Sequence, residues 1–175
     1  AAIVRADGAS RARFGGHGAA MAQAYNHIIM PLATRRDQET QVRWGVRDFR
    51  HRFGRAPVGM WLPECAVSTE TLEVLAAEGV GFTVLAPYQA ARVRAPGSRW
   101  HDVGSADPGR VYRCPLPSGN TIDLFFYDGE LARQVAFEKL LTDGAQLARR
   151  LGTGGGGGGE TPVLSHIATD GETYG

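Results

Sequence analysis

GMWLPECAVSTETLEVLAAEGVGFTVLAP, residues 59–87, holds two short apolar runs with a helical pattern between them. In that pattern Leu72 and Leu75 lie on one face, and Ser68 is a residue type that often caps a helix N-terminus. A strand, a helix and a second strand in succession predict a βαβ unit and therefore a parallel sheet. The first strand ends at Glu64, which is either a solvated loop acid, a partner for an arginine or a carboxylate placed for chemistry.

A second helix is predicted upstream of this stretch, over residues 36–53. Val42, Val46, Phe49 and Phe53 form one apolar stripe at helical spacing. Gly54 follows the last apolar position and suits a helix C-cap. The stripe predicts that one face of this helix is buried.

The remaining segments continue the alternation of predicted strands and helices. The other predicted strands are MAQAYNHIIMPLA (a strand or a buried turn), RVYRCPLP, NTIDLFFYD and PVLSHIATDGE. Ser118, Gly119 and Asn120 predict a hairpin turn between RVYRCPLP and NTIDLFFYD, and ELARQVAFEKLL and AQLARRL are predicted helices. Residues 1–18, rich in Ala, Gly and Arg, are predicted to be a loop. Together these patterns predict an α/β fold.

Composition excludes several classes of partner. Nineteen basic and eighteen acidic residues give a net charge of +1, and the arginines are scattered, so we expect no nucleic-acid partner. The apolar runs are too short to cross a bilayer and no secretory signal opens the chain, which predicts no membrane partner and a cytoplasmic location. Two cysteines cannot make a disulfide framework. No cofactor and no metal are predicted, and the oligomeric state is left open.

The length of 175 residues suits one domain with a core of its own. We expect residues 1–175 to form a single partial catalytic domain. Residues 152–160 are predicted to be a glycine-rich surface loop, because a run of glycines has no preferred structure. The chain begins without methionine and stops just after an acidic cluster. We therefore expect it to be a fragment of a longer enzyme.

Acidic residues cluster where the predicted strands stop. Glu64, Asp128 and Asp170 each follow an apolar run. Because the carboxyl ends of parallel strands meet at one edge of a sheet, two such carboxylates can converge on one pocket. Cleavage of a glycosidic bond requires a pair of this kind, in which one acid donates a proton to the leaving oxygen and the other attacks or stabilises the anomeric carbon.

The acids also have plain structural interpretations. Asp170 precedes Gly171, and Asp-Gly is a common turn pair. Asp128 stands before a predicted helix, where the role of N-cap is slightly favoured over a bond to a substrate hydroxyl.

The roles of the histidines and tryptophans are equally open. His27 and His166 are single histidines in apolar segments, where a hydrogen-bonded core group is commoner than a ligand. Trp44 and Trp61 are predicted core residues, although a tryptophan beside a sugar site can also stack on a pyranose face. His166 lies four residues before the acidic cluster and can share a cavity with it.

Three ordered segments resemble glycoside hydrolase family 57. GMWLPECAV followed by GFTVLAPYQ resembles the family's nucleophile segment, HIATDGETYG resembles the segment of the general acid/base, and YNHIIMPLA resembles an earlier stretch. Together they span residues 23–175. NHIIMPL, QVRWGVRDF, FGRAPVGMWLPE and FFYDGE are similar to the bacterial branch of this family that carries an additional uncharacterised C-terminal domain.

The resemblance implies an incomplete (β/α)7 barrel with a mostly parallel sheet and a retaining double displacement on α-glucans. It makes Glu64 the nucleophile and Asp170 the general acid/base. The implied partner is an oligo- or polysaccharide, contacted by His27, Trp61, Asp128, His166 and Glu172. The family's opening His-Gln-Pro motif is absent, which agrees with a chain that lacks the first strand and the C-terminal part.

Two other functions stay open at this point. One is a metal-dependent polysaccharide deacetylase, for which His27, His166 and Asp170 are the candidate ligands, although their spacing matches no zinc motif. The other is a non-catalytic carbohydrate-binding relic that keeps the acids. Sequence patterns do not separate hydrolysis from transglycosylation.

Overall fold

A computed structural model describes residues 2–153 and 164–174 of the chain. The chain forms two compact units. The first consists of Ala1–Val84 and Arg113–Asp123, and the second of Leu85–Tyr112 and Leu124–Gly175.

The first half of the chain alternates helices and strands, as predicted for the part after residue 18. Its elements are α1 Ala2–Arg13, β1 Ala22–Gln23, α2 Arg35–Phe53, β2 Met60–Trp61, α3 Thr69–Ala77 and β3 Phe82–Leu85. Ser68 Oγ accepts the backbone N–H of Thr71 at the start of α3, at 3.1 Å. Gly54 ends α2 in the left-handed region, with φ 65°. Both predicted caps are therefore confirmed.

In the second half, the described residues form four strands and two helices. They are β4 Arg92–Val93, β5 His101–Asp102, β6 Val111–Pro115, β7 Thr121–Phe126, α4 Gly129–Phe137 and α5 Gly144–Thr153. The predicted hairpin is confirmed, since Leu116 N–H donates to the carbonyl of Asn120 and Gly119 N–H donates to that of Leu116. No helix in the described ranges is long and apolar enough to cross a bilayer.

Parallel pairing dominates the sheets. β1 pairs in parallel with β2, and Gln23 lies opposite Trp61. Gly59, just before β2, makes a parallel bridge to Phe82 at the start of β3. A three-stranded sheet has the order β3-β7-β6, and β4 pairs antiparallel with β5. The fold is a mixed α/β fold with a mostly parallel sheet, which confirms the predicted class.

One close approach seats α2 on β1. A Cβ atom at Gly45 would lie 2.0 Å from the backbone oxygen of Gln23, so only glycine lets the helix come this near the strand. Val42, Val46 and Phe49 on the same helix are buried, as their spacing predicted, and Phe53 at the end of the stripe is partly buried. Burial of this stripe stabilises the first unit by removing apolar surface from water.

The prediction that Trp44 is a core residue is wrong. Its side chain is 48% exposed. Its ring meets Tyr25 edge to face, with the centroids 5.5 Å apart. Trp44 stands two positions after Val42, which places it roughly 200° around the helix from that buried residue. It therefore lies on the opposite face of α2.

The predicted N-terminal loop is also wrong, because Ala2–Arg13 is a helix. Its buried residue is Asp7, whose carboxylate accepts bonds from Arg55 Nη2 at 2.7 Å and Arg55 Nε at 3.0 Å. The N–H of Ala20 donates to the same carboxylate at 2.8 Å. The Arg55 guanidinium also lies 4.8 Å from the ring centroid of Phe49. Because α1 is held by an ion pair, its sequence has no apolar stripe from which the helix could have been predicted.

The final predicted strand is not formed in its described part. Residues 164–170 have no regular secondary structure. Their backbone makes isolated bonds to two different segments, from Leu164 N–H to Gly109 O and from Asp128 N–H to His166 O. Such bonds do not build a strand ladder. Of the predicted glycine-rich loop, residues 154–160 lie outside the described residues.

An apolar cluster nevertheless holds this segment within the second unit. Its buried members are Leu131, Val135 and Leu140. Leu147, Leu151 and Ile167 pack against them. Because Ile167 belongs to the segment before the acidic cluster, apolar contact rather than strand pairing positions that segment.

The Asp7–Arg55 pair predicts a pH-dependent stability. The hydrogen bond from Arg55 lowers the pKa of Asp7 from 3.8 to about 2, against the opposing effect of burial. Because the pKa is lower in the folded state, the pair stabilises the fold above the unfolded pKa, and this stabilisation is lost as the pH falls towards 2. We expect Asp7→Asn to lower the free energy of unfolding at pH 7 by about 2 kcal/mol, measured by urea denaturation.

The control is Asp102→Asn, at an exposed strand position. It should keep the stability of the parent at pH 7 and the parent's loss of stability in acid. Equal stabilities of Asp7→Asn and the parent at pH 7 would contradict the anchoring role of Asp7.

Candidate active site

Glu64 lies on a tight turn that follows β2. Cys65 N–H donates to the carbonyl of Leu62, and Ala66 N–H donates to that of Pro63, both at 3.0 Å. Leu62, Pro63 and Cys65 are buried, whereas Glu64 is exposed. The turn is therefore anchored on both sides of the carboxylate, which faces solvent at the carboxyl end of a parallel strand.

The backbone of this turn is strained. Glu64 has φ 55° and Cys65 has φ 52°, both in the left-handed region that non-glycine residues rarely adopt. Each such residue costs about 1–3 kcal/mol and persists only where its surroundings hold it there. The sequence carried no signal for this turn, because glycine, the usual marker of a positive φ, is absent from both positions.

His27 is hydrogen-bonded to Glu64. Its Nε2 lies 2.9 Å from Glu64 Oε1, and the two side chains are 67% and 68% exposed. The interpretation of His27 as a core group is therefore wrong, and in the described part of the chain Glu64 is paired with this histidine and not with an arginine. His27 lies four residues after β1 and Glu64 three residues after β2, so the parallel pairing of these strands brings the two side chains together.

The thiol of Cys65 is buried next to this carboxylate. Burial raises the pKa of Cys65 to about 11, and the negative charge of Glu64 adds to the effect. The thiol is therefore protonated at neutral pH and is a poor nucleophile.

Trp61, in β2, is partly buried and is not one of the fully packed core residues. It stands three residues before Glu64 and lies opposite Gln23 in the parallel register. Stacking of Trp61 on a sugar stays a prediction.

Asp128 is the N-cap of α4, as the structural interpretation favoured. Its Oδ1 accepts the N–H of Leu131 at 2.9 Å. Its own N–H donates to the carbonyl of His166 at 3.0 Å. A bond from Asp128 to a substrate hydroxyl stays a prediction.

His166 is partly buried in the second unit. Its ring meets Phe125 edge to face at 6.3 Å. Burial lowers the pKa of His166, against the opposing effects of a hydrogen bond to the Phe126 backbone and of the charge on Asp128. This lowered pKa favours the neutral form of the ring at neutral pH. Its Nε2 atom is buried and has no hydrogen-bond partner among the described residues.

Asp170 and Glu172 are exposed on the last turn of the chain. Thr173 N–H donates to the carbonyl of Asp170 at 3.1 Å, and a short 3-10 helix covers Gly171–Tyr174. The turn interpretation of Asp170 is therefore confirmed. That geometry is compatible with a chemical role for its side chain, which stays a prediction.

The candidate residues fall into two sets. His27, Trp61 and Glu64 belong to the first unit, whereas Asp128, His166, Asp170 and Glu172 belong to the second. Within the sets, a side-chain bond joins His27 to Glu64 and a backbone bond joins Asp128 to His166. The separation of the Glu64 and Asp170 carboxylates stays a prediction.

A metal-binding cluster is not found in residues 2–153 and 164–174, where no group of three or more His, Cys, Asp or Glu side chains could hold an ion. No donor set in this part of the chain favours the deacetylase alternative.

Comparison with known proteins gives a consistent result. The model of Glycosyl hydrolase family 57 matches residues 16–175. A search of curated protein sequences found no match. The solved structures of similar fold include the 4-alpha-glucanotransferase from Thermococcus litoralis, with a TM-score of 0.67 and 16% identity over 95% of this chain and 23% of that chain.

Two further structures are the alpha-amylase AmyC from Thermotoga maritima and a GH57 branching enzyme from Thermococcus kodakaraensis. The first has a TM-score of 0.56 and 21% identity, covering 76% of this chain and 24% of the amylase. The second has a TM-score of 0.52 and 20% identity, covering 73% of this chain and 26% of the branching enzyme. The present chain thus spans about a quarter of the length of each of these proteins.

These structural similarities show a shared fold, and the family model gives the membership. Its match over residues 16–175 takes in nearly the whole chain, including the turn of Glu64 and the acidic cluster at Asp170. The chain belongs to glycosyl hydrolase family 57.

Proposed function

We propose that this chain carries the reacting residues of a retaining glycoside hydrolase or glucanotransferase that acts on α-glucans. Glu64 is the nucleophile and Asp170 is the general acid/base. The observation that carries the proposal is the exposed Glu64 carboxylate on a strained turn at the end of a parallel strand, in a chain of glycosyl hydrolase family 57.

The position of Glu64 suits nucleophilic attack. A carboxylate nucleophile must reach the anomeric carbon, so it has to be exposed while its backbone is held still. The buried residues Leu62 and Cys65 flank Glu64, and the two turn hydrogen bonds fix the path of the chain. The carboxylate is thus accessible, and its Cα has little freedom.

Backbone strain at Glu64 supports the same role. Strained left-handed residues cluster at sites of chemistry, because a fold retains them where a particular side-chain direction matters. Two in succession, Glu64 and Cys65, cost stability that a plain surface loop could avoid with glycine.

Asp170 would complete the double displacement. In the first step it donates a proton to the leaving oxygen while Glu64 attacks, and in the second it removes a proton from the acceptor that cleaves the glycosyl-enzyme. Family membership and the position of Asp170 in the DGE segment support this assignment. It requires the two carboxyl groups to lie roughly 5–5.5 Å apart.

The substrate class follows from the relatives. Three proteins of similar fold are an alpha-amylase, a 4-alpha-glucanotransferase and a branching enzyme. We therefore propose an α-glucan substrate and place the parallel strands in a (β/α)7 barrel. Water as acceptor gives hydrolysis, and a second glucan gives transfer. The side chains proposed to contact the glucan are Trp61, Asp128, His166 and Glu172, whereas His27, which the sequence placed in the same set, is bonded to the Glu64 carboxylate.

Replacement of Glu64 tests the nucleophile. We expect Glu64→Gln to lower kcat by a factor on the order of 10⁴, because the amide cannot form the glycosyl-enzyme. Glucan binding, measured by calorimetry, should survive. The assay uses the protein in its natural form, with Asp102→Asn as the control. In the parent, mass spectrometry after denaturant quenching should find the trapped glycosyl group on Glu64. Ordinary turnover by Glu64→Gln would refute the proposal.

Replacement of Asp170 tests the acid/base. We expect Asp170→Asn to lose activity on glucans, whose leaving group needs a proton, and to retain glycosyl-enzyme formation from a glycosyl fluoride, which does not. The measurement compares the rate of fluoride release in the first turnover with the glucan turnover rate, because later turnovers also need Asp170 as the base of the second step. Glu172→Gln is the neighbouring control and should affect both substrates equally. Equal losses on both substrates for Asp170→Asn would assign proton transfer to another group.

The strain at Glu64 can be measured as a difference in stability. At a left-handed position glycine avoids the Cβ clash, so Glu64→Gly should be more stable than Glu64→Ala by about 1 kcal/mol in urea denaturation. Arg47, exposed on α2, is the matched control, where alanine should be favoured over glycine by about 1 kcal/mol. If alanine were more stable than glycine at both positions, the turn would be unstrained.

A further inference from the structure

We propose that His27 is a positioning residue that holds the Glu64 carboxylate in the orientation for attack. The inference rests on the proposed function of Glu64 and deepens it. Sequence resemblance placed His27 only among the residues that contact substrate, whereas the geometry points to an action through Glu64.

The contact is made by the two loops that leave neighbouring strands. His27 Nε2 and Glu64 Oε1 are 2.9 Å apart, and the residues are 37 positions apart in the chain. The parallel register that sets Gln23 opposite Trp61 carries both loops to the same edge of the sheet. The distance is therefore a consequence of the fold and not of proximity along the chain.

Stability does not explain this bond. Both side chains are about two-thirds exposed, and exposed ion pairs contribute little to folding. What the bond can do is restrict the three side-chain torsions of Glu64. The strained turn fixes the Cα end of the side chain, and His27 holds its far end, so the carboxylate is held at two points.

It matters for nucleophilic attack that the partner of Glu64 is a histidine. An arginine in this place could bind both carboxylate oxygens in a bidentate pair and leave neither available. The imidazole donates through one nitrogen to Oε1 only, and this bond leaves Oε2 outside it. Oε2 is then the oxygen that attacks the anomeric carbon.

Two substitutions separate positioning from substrate contact. In His27→Leu the donor is absent, whereas in His27→Gln the side-chain amide nitrogen can stand close to the place of Nε2. We expect His27→Leu to lower kcat by about 10–100-fold, as a misplacement of about 1 Å does, with KM changed less than about threefold. His27→Gln should recover most of the loss. The rate of glycosyl-enzyme formation from a glycosyl fluoride should fall in parallel with kcat.

A matched control makes the same chemical change elsewhere. His51→Leu, at an exposed position in the last turn of α2, should keep the kcat of the parent. The urea midpoint of His27→Leu should match that of the parent, which excludes a general loss of fold. In the double variant His27→Leu/Glu64→Gln, activity should be no lower than in Glu64→Gln alone, because the histidine acts only through the carboxylate.

The outcomes of these experiments distinguish a failure of the positioning role of His27 from a failure of the proposed function of Glu64. If Glu64→Gln is inactive and His27→Leu raises KM with an unchanged kcat, His27 contacts substrate and the positioning role is overturned. If His27→Leu behaves like the parent, the positioning role also fails while the nucleophile stands. If Glu64→Gln is fully active, the proposed function itself fails, and the inference fails with it.

Discussion

The parallel pairing of β1 with β2 is the constraint on which the described part of the site depends. Gln23 lies opposite Trp61, so the chain leaves both strands at one edge, and four or three residues later it places His27 beside Glu64. A slip of one residue in this register would turn the side chains of one strand to the other face. Gly45 protects the arrangement, because it lets α2 press on β1 without a side chain between them.

Local physics accounts for the elements that the sequence predicted correctly. The stripe of Val42, Val46 and Phe49 marked the buried face of α2, and Ser68 and Gly54 marked helix ends. The carboxylate of Glu64 at the end of a parallel strand was predictable on the same grounds. Each of these signals lies within a few residues of the feature that it announces.

What was missed depends on contacts between distant parts of the chain. Helix α1 has no apolar stripe and is anchored by Asp7 to an arginine 48 residues away. The segment before Asp170 looked like a strand, yet Ile167 packs against a helical cluster instead. Trp44 was misplaced for a different reason, since its spacing from Val42 already pointed away from the core. The left-handed φ of Glu64 has no sequence marker.

Within the first unit, rigidity and exposure coexist at Glu64. Its neighbours are buried and its backbone is strained, while its carboxylate faces solvent and is bound by a single histidine nitrogen. The family 57 model matches the residues of this turn. The exposed carboxylate on a rigid backbone therefore supports a catalytic role for Glu64, which the same geometry in an unrelated fold would not support. A fold-level similarity alone, at 16–21% identity, would have supported the architecture and nothing more.

The burial of Cys65 has a consequence for chemical labelling. Ordinary thiols outcompete carboxylates for electrophilic reagents, and a cysteine adjacent to the target would normally capture a sugar-shaped epoxide. Here the sulfur is buried and its pKa is raised to about 11, so almost none of it is thiolate at neutral pH. If Glu64 is the nucleophile, as proposed, a cyclitol epoxide would alkylate the oxygen of residue 64 in preference to the sulfur of residue 65.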